Sequence, residues 1–102
     1  MSGDFETLRS AIENRQQVLC YYKDHDRELC PHTLGYKDGR EKVLGFQFGG
    51  GSSKGLPDGG EWRCMFVDDI QNLEVRDGDW HTSDNHSQPQ TCVDDVVAEA
   101  FG

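Results

Sequence analysis

Long apolar runs are missing from this sequence. None approaches the ~20 residues that a membrane-crossing helix needs, and the opening MSGDFETLRS has neither the basic stretch nor the apolar core of a secretory signal. The expected address is the cytoplasm, with no membrane partner. Apolar residues make up 34% of the 102 positions, enough for one domain with a modest core and too little for a large enzyme fold. Basic residues are also short where the chain ends: residues 67–102 hold only Arg76 against nine acids, whereas residues 1–66 hold nine Lys and Arg against ten acids. The net of -9 is thus an almost balanced body followed by an acidic tail. Non-specific nucleic-acid binding rests on neutralised phosphates, so the chain as a whole is unsuited to it, and only a local basic face of the body could serve. Solubility alone is a sufficient reason for the excess acid.

No Cys-x-x-Cys pair occurs among Cys20, Cys30, Cys64 and Cys92, which removes the usual zinc signature. Cys30 and His32 are close in sequence but lack two convincing further ligands, so no metal and no cofactor is expected, and the cysteines read as buried thiols. If VLCYY and RELCP pair across Lys23 to Asp26, Tyr22 faces Arg27 and Cys20 faces Leu29. Cys20 and Cys30 then point to opposite faces, which disfavours a disulfide between them.

Phosphate-loop order is absent too. Six glycines fall between Gly49 and Gly60, but the order Ser52-Ser53-Lys54-Gly55 lacks the Gly-Lys-Ser of a Walker loop, and a strand follows instead of a helix. Phe46, Phe48, Trp62 and Phe66 on its two sides look like partners in one core, so the stretch is a long hairpin loop and not a linker. Its amides, with Ser52, Ser53 and Lys54, form a candidate anion site. No nucleophile elbow is present, and the acid pairs Asp68-Asp69 and Asp94-Asp95 suit caps and turns. The chain is expected not to be an enzyme.

What is there is strand-like. Phe5, Leu8, Ala11 and Ile12 recur at helical spacing, predicting an amphipathic helix over 4–15. Strands follow over 17–23 and 27–37, and Asp38-Gly39 signals a two-residue type I′ turn, whose two central residues need positive φ. With Lys37 opposite Arg40, one face carries Tyr36/Glu41, Leu34/Val43 and His32/Gly45. The other carries Gly35/Lys42, Thr33/Leu44, Pro31/Phe46 and Leu29/Phe48, and is expected to be the core. EWRCMFVDD and IQNLEVRD supply two more strands. Residues 79–91 are expected to be extended or poorly ordered, and TCVDDVVAEAF is expected to form a short C-terminal helix, with Thr91 as N-cap and Val93, Val96, Val97, Ala100 and Phe101 on one face. The fold class is mostly β (α+β): a small, bent barrel of about five strands over 1–78 with an N-terminal helix, and an acidic polar tail over 79–102 in the same domain.

The ordered set AIENRQQVLCYYKDHDRELCPHTLGYKDGREKVLGFQFGG, then EWRCMFVDDIQNLEV, resembles the WYL-domain family over roughly residues 8–76. The matching features are the opening that ends in Tyr22, Arg27 with Pro31-His32, the Gly-Arg hairpin with Leu44-Gly45-Phe46, then Trp62-Arg63, Phe66 and Asp69-Ile70. The name-giving Trp-Tyr-Leu triplet is replaced by Glu41-Lys42-Val43, and the domain is expected to stand without a preceding helix-turn-helix. The resemblance implies a stand-alone SH3-like or Sm-like barrel that senses a nucleotide or single-stranded nucleic acid in bacterial transcription or defence regulation. It carries ligand-binding roles to Tyr22, Arg27, His32 and Arg63, with Trp62 beside them. The alternative is a protein-interaction module that forms a homo-oligomer or docks on a separate regulator through open strand edges and the C-terminal helix.

Overall fold

The computed structural model of the chain describes residues 3–23, 25–50, 61–80 and 92–100. One helix precedes six antiparallel strands: α1 (Gly3–Asn14), β1 (Gln17–Tyr22), β2 (His25–Lys37), β3 (Arg40–Gly50), β4 (Glu61–Phe66), β5 (Gln71–Arg76) and β6 (Asp95–Glu99). A 3-10 turn, Val67–Asp69, joins β4 to β5. The fold is mostly β, as expected. No described helix is long and apolar enough to cross a membrane.

The apolar stripe predicted for α1 is the buried one: Phe5, Leu8, Ala11 and Ile12 all pack into the core. Side chains of this size contribute roughly 1.5–3 kcal/mol each when fully buried, Ala11 less, so packing rather than helix propensity holds α1 in place. The helix ends where Arg15 turns to φ 51 and the Gln16 amide donates to the carbonyl of Ala11 at 2.8 Å. Arg15 then reaches the carbonyl of Ala100 with its guanidinium, tying the helix end to the far end of the chain.

The sheet runs β4-β3-β2-β1-β5, and β6 pairs with β2 beyond the end of β1. In a flat sheet β4 and β5 would lie four strand spacings apart, about 19 Å. The chain from Phe66 to Gln71 spans less than that, because three of its residues form the 3-10 turn. The sheet therefore curls until β4 and β5 approach at this end. One contact across the curl is the amide of Phe66 on β4, which donates to the Tyr22 hydroxyl on β1 at 3.1 Å.

The Asp38-Gly39 turn has the two positive φ angles that a type I′ turn needs, 53° and 79°. The predicted ladder holds from Lys37↔Arg40 through Thr33↔Leu44, then fails: Pro31 pairs with Gly45 and Leu29 with Gln47. Pro31 has no N–H to give the ladder, and the register slips there, leaving His32 as an extra residue. The expected core face is corrected as well. Leu34, Val43 and Met65 lie in the main core with α1, while Leu44 belongs to a second, smaller cluster with Cys92 and Val93. Both faces of the β2–β3 hairpin are thus covered.

The first hairpin is two residues out of the expected register. Cys20 pairs with Arg27, Val18 with Leu29 and Tyr22 with His25. An even shift keeps every side chain on its face, and Cys20 and Cys30 are buried thiols that form no disulfide.

The expected C-terminal helix is instead β6. Residues 33–36 of β2 present an open edge, and β6 takes it, from Thr33↔Glu99 to Tyr36↔Asp95. The β-branched pair Val96-Val97 fits an extended edge strand, so tertiary pairing overrides the helical spacing. Val96 and Val97 are exposed, whereas Val93 and Ala100 are buried. Gly35 explains how the chain crosses here: a Cβ at this position would overlap the carbonyl oxygen of Asp95 and come within 2.6 Å of Val93 Cγ1.

Candidate functional site

Arg27, Gln47 and Arg63 meet at the open end of β2, β3 and β4. The side chain of Arg27 faces inward because its partner Cys20 lies on the core face of β1. It is only 7% exposed. Its Nε donates to the carbonyl of Tyr22 at 3.1 Å, and its guanidinium carbon lies 5.5 Å from the Tyr22 ring centroid. Its Nη1 donates to Gln47 Oε1 at 3.1 Å, and the same oxygen accepts from Arg63 Nε at 3.0 Å. Gln47 is 0% exposed and donates its own Nε2 to the carbonyl of Gly49 at 2.9 Å.

Two guanidinium groups thus converge on one neutral amide oxygen. Arg63 also pairs with Glu61 through Nη2 at 2.9 Å. Among the described residues no carboxylate lies within salt-bridge distance of Arg27. Burial first, and then the Arg63 charge, lowers the Arg27 pKa from its ordinary value, although the group stays a cation. A buried cation beside a second cation, with only neutral acceptors on it, is an electrostatic arrangement that an anion would relieve.

An aromatic cluster sits alongside. Trp62 on β4 is half-buried, edge-on to Phe46 at 5.2 Å and to His32 at 4.7 Å between ring centroids. Trp80 closes on the other side of His32 at 4.7 Å. The placement of His32 corrects the outward position expected from the strand pattern: the side chain is 1% exposed, because the register slip turns it inward, and its Nδ1 bonds the Cys30 carbonyl at 2.7 Å.

Of the expected site residues, Tyr22, Arg27 and Arg63 share one network through Gln47 and the Tyr22 carbonyl, and Trp62 with His32 forms the adjoining cluster. Tyr22 is buried, with Arg27 over its ring, so it supports Arg27 rather than presenting a face to a ligand. Ser52, Ser53 and Lys54 lie outside the described residues. Gln47 was not anticipated; its one signal is a polar residue inside the apolar strand GFQFGG, whose buried amide had to find partners. The reading of all four cysteines as thiols fails at Cys64 and Cys92, which form a disulfide with Cα atoms 5.6 Å apart. At a separation of 28 residues, no spacing rule points to that pair.

A cavity of about 340 Å³ adjoins Arg27, which lines it together with Leu19, Cys20, Tyr21, Asp26, Glu28, Asn72 and Glu74. Its charged lining is mainly acidic, and Glu28 is already paired with Arg76 at 3.0 Å. Arg27 is the one basic residue among its described lining, and Arg63 does not reach it. Comparison with protein-family models, with curated proteins and with solved structures gave no match, so the likeness to WYL domains rests on the residues quoted above.

Proposed function

We propose that the chain is a non-catalytic regulatory module that binds an anionic ligand, a nucleotide or a single-stranded nucleic acid, between Arg27 and Arg63. In this reading it is a WYL-like, SH3-like or Sm-like barrel acting in the cytoplasm, in bacterial transcription or defence regulation. The observation that carries the reading is the convergence of two guanidinium groups on the single neutral oxygen of Gln47, with no carboxylate against the buried Arg27. A phosphate placed there gains charge-assisted hydrogen bonds from both. Trp62, the half-buried aromatic next to Arg63, offers an edge for a base. Tyr22 holds Arg27, and His32 packs against Trp62. The curl that brings β4 toward β5 supports the barrel part of the reading.

Fluorescence anisotropy of a labelled short oligo(dT) at low salt, with nucleoside monophosphates as competitors, tests it. Saturable binding that falls at least tenfold in Arg27→Met is the expected result. One neutralised phosphate on a single strand gives a slope of about -0.7 for log K against log salt. If neither the oligonucleotide nor the mononucleotides bind the wild-type chain, the proposal is wrong.

A second reading, a protein-interaction module that assembles with itself or docks on a separate regulator, is favoured by one observation: among the described residues the exposed large apolar ones, Val75, Val96 and Val97, all lie on β5 and β6. Light scattering that gives a monomer across a wide concentration range would remove the homo-oligomer.

A further inference from the structure

The last described segment is held across the sheet by one covalent bond, by backbone pairing with β2 and by a few buried side chains. Cys92 is bonded to Cys64 on β4, and from there the chain passes over Gly35, donates from the amide of Asp94 to the carbonyl of Tyr36 at 3.0 Å, and pairs along β2 as β6. Its far end is fixed by Ala100, whose amide donates to the His32 carbonyl at 2.7 Å and whose carbonyl accepts from the Arg15 guanidinium. Few large apolar side chains anchor it: Cys92, Val93 and Ala100 are buried and Ala98 packs on the core, but Val96 and Val97 are exposed. An edge strand with so little buried apolar surface belongs to the low-stability end of a fold. The residue Cys64 is exposed, so one side of the bond faces solvent. The two thiols outside the disulfide, Cys20 and Cys30, are buried, and burial pushes the Cys20 thiol up to about 11, which keeps it from acting as an internal thiolate nucleophile.

We propose that Cys64–Cys92 is a redox latch. Closed, it clamps Cys92 to Glu99 over β2 and seals Cys92 and Val93 against Trp62. Opened, it releases β6, uncovers the Thr33 to Tyr36 edge of β2 and frees one side of Trp62. The opening reaction is exchange with an external dithiol. A reductant thiolate attacks one sulfur and forms a mixed disulfide, and the second reductant thiol displaces it. Two electrons and two protons leave two cysteine thiols on the chain and a cyclic disulfide on the reductant. In a cytoplasmic protein a disulfide is commonly of this transient, sensing kind. The latch does not depend on what binds at Arg27.

The test uses the full chain. Thiol titration in denaturant without reductant counts two thiols if the bond forms, and four thiols overturn the proposal. Hydrogen exchange is then compared before and after dithiothreitol. The expected result is at least a tenfold loss of amide protection confined to residues 92–100 and their partners at 33–36, with α1 and the Asp38-Gly39 hairpin unchanged. Cys92→Ser is expected to show the same pattern without reductant. Unchanged protection after reduction overturns the proposal. So does loss of protection throughout the molecule, which would make the bond a staple for the whole fold.

Discussion

Replacing Gln47 by Leu keeps the volume of a fully buried side chain and removes the oxygen on which both arginines converge. Three hydrogen bonds are lost: from Arg27 Nη1 at 3.1 Å, from Arg63 Nε at 3.0 Å, and from Gln47 Nε2 to the Gly49 carbonyl at 2.9 Å. Hydrogen bonds to charged groups contribute about 1.5–3 kcal/mol each and neutral ones about 1. Arg27 is nearly fully buried and counts at about 2. Arg63 is partly solvated and also holds Glu61, so it counts at about 1. The Gly49 bond adds about 1, and the leucine returns about 1 through its apolar atoms. The net expectation is a loss of about 3 kcal/mol, or roughly 10–20 °C in Tm for a domain of this size. Urea unfolding followed by tryptophan fluorescence reads it directly, because Trp62 lies on β4 next to Arg63. A loss below about 1 kcal/mol would refute the reasoning, since it would mean that the guanidinium groups find equal acceptors without Gln47.

Other expectations follow from separate parts of the molecule. Gly35→Ala forces a Cβ into backbone of the 93–95 segment and is expected to cost about 1–3 kcal/mol, as overpacking does, with loss of exchange protection concentrated in β6; an unchanged urea midpoint would contradict the crossing geometry. Gly39→Ala has open space around it but sits at φ 79°, so its cost is conformational, about 1 kcal/mol, measured by the same unfolding curve. Cys20 has a thiol raised to about 11 by burial, so the folded state holds the proton more tightly than the unfolded chain does. Its contribution is complete below about pH 9 and is lost as pH rises toward about 11, with a ceiling near 2–3 kcal/mol; Cys20→Ala is expected to flatten that alkaline limb in pH-dependent unfolding.

Legibility in the sequence followed the range of the interactions. α1 and the Asp38-Gly39 hairpin were readable because their signals are local, a 3.6-residue stripe and a pair of residues suited to positive φ. The register beyond Thr33 was not, because the slip falls at a single proline and the bulged His32 carbonyl is paired by an amide, that of Ala100, from another segment. β6 was misread for the same reason in stronger form: its spacing is compatible with a helix, and only the free edge of β2, set by residues 60 positions earlier in the chain, decides for a strand. At the candidate site, Arg27 beside Tyr22 and Arg63 beside Trp62 were visible as residue types. The oxygen that unites the arginines was not, since Gln47 in an apolar strand announces only that it needs partners, without naming them. The inward turn of His32 depends on the same slip at Pro31.

The central claim is that a ligand phosphate sits between the Arg27 and Arg63 guanidinium groups. Its most direct measurement is an NMR titration of the arginine Nε–H resonances of the full chain with a nucleoside monophosphate and with short oligo(dT) at low salt. The account predicts saturable shifts of the Arg27 and Arg63 signals together, with Arg9 and Arg40 unmoved, and their disappearance in Arg27→Met. Binding detected without movement of either signal would contradict it, as would the absence of any shift at millimolar ligand.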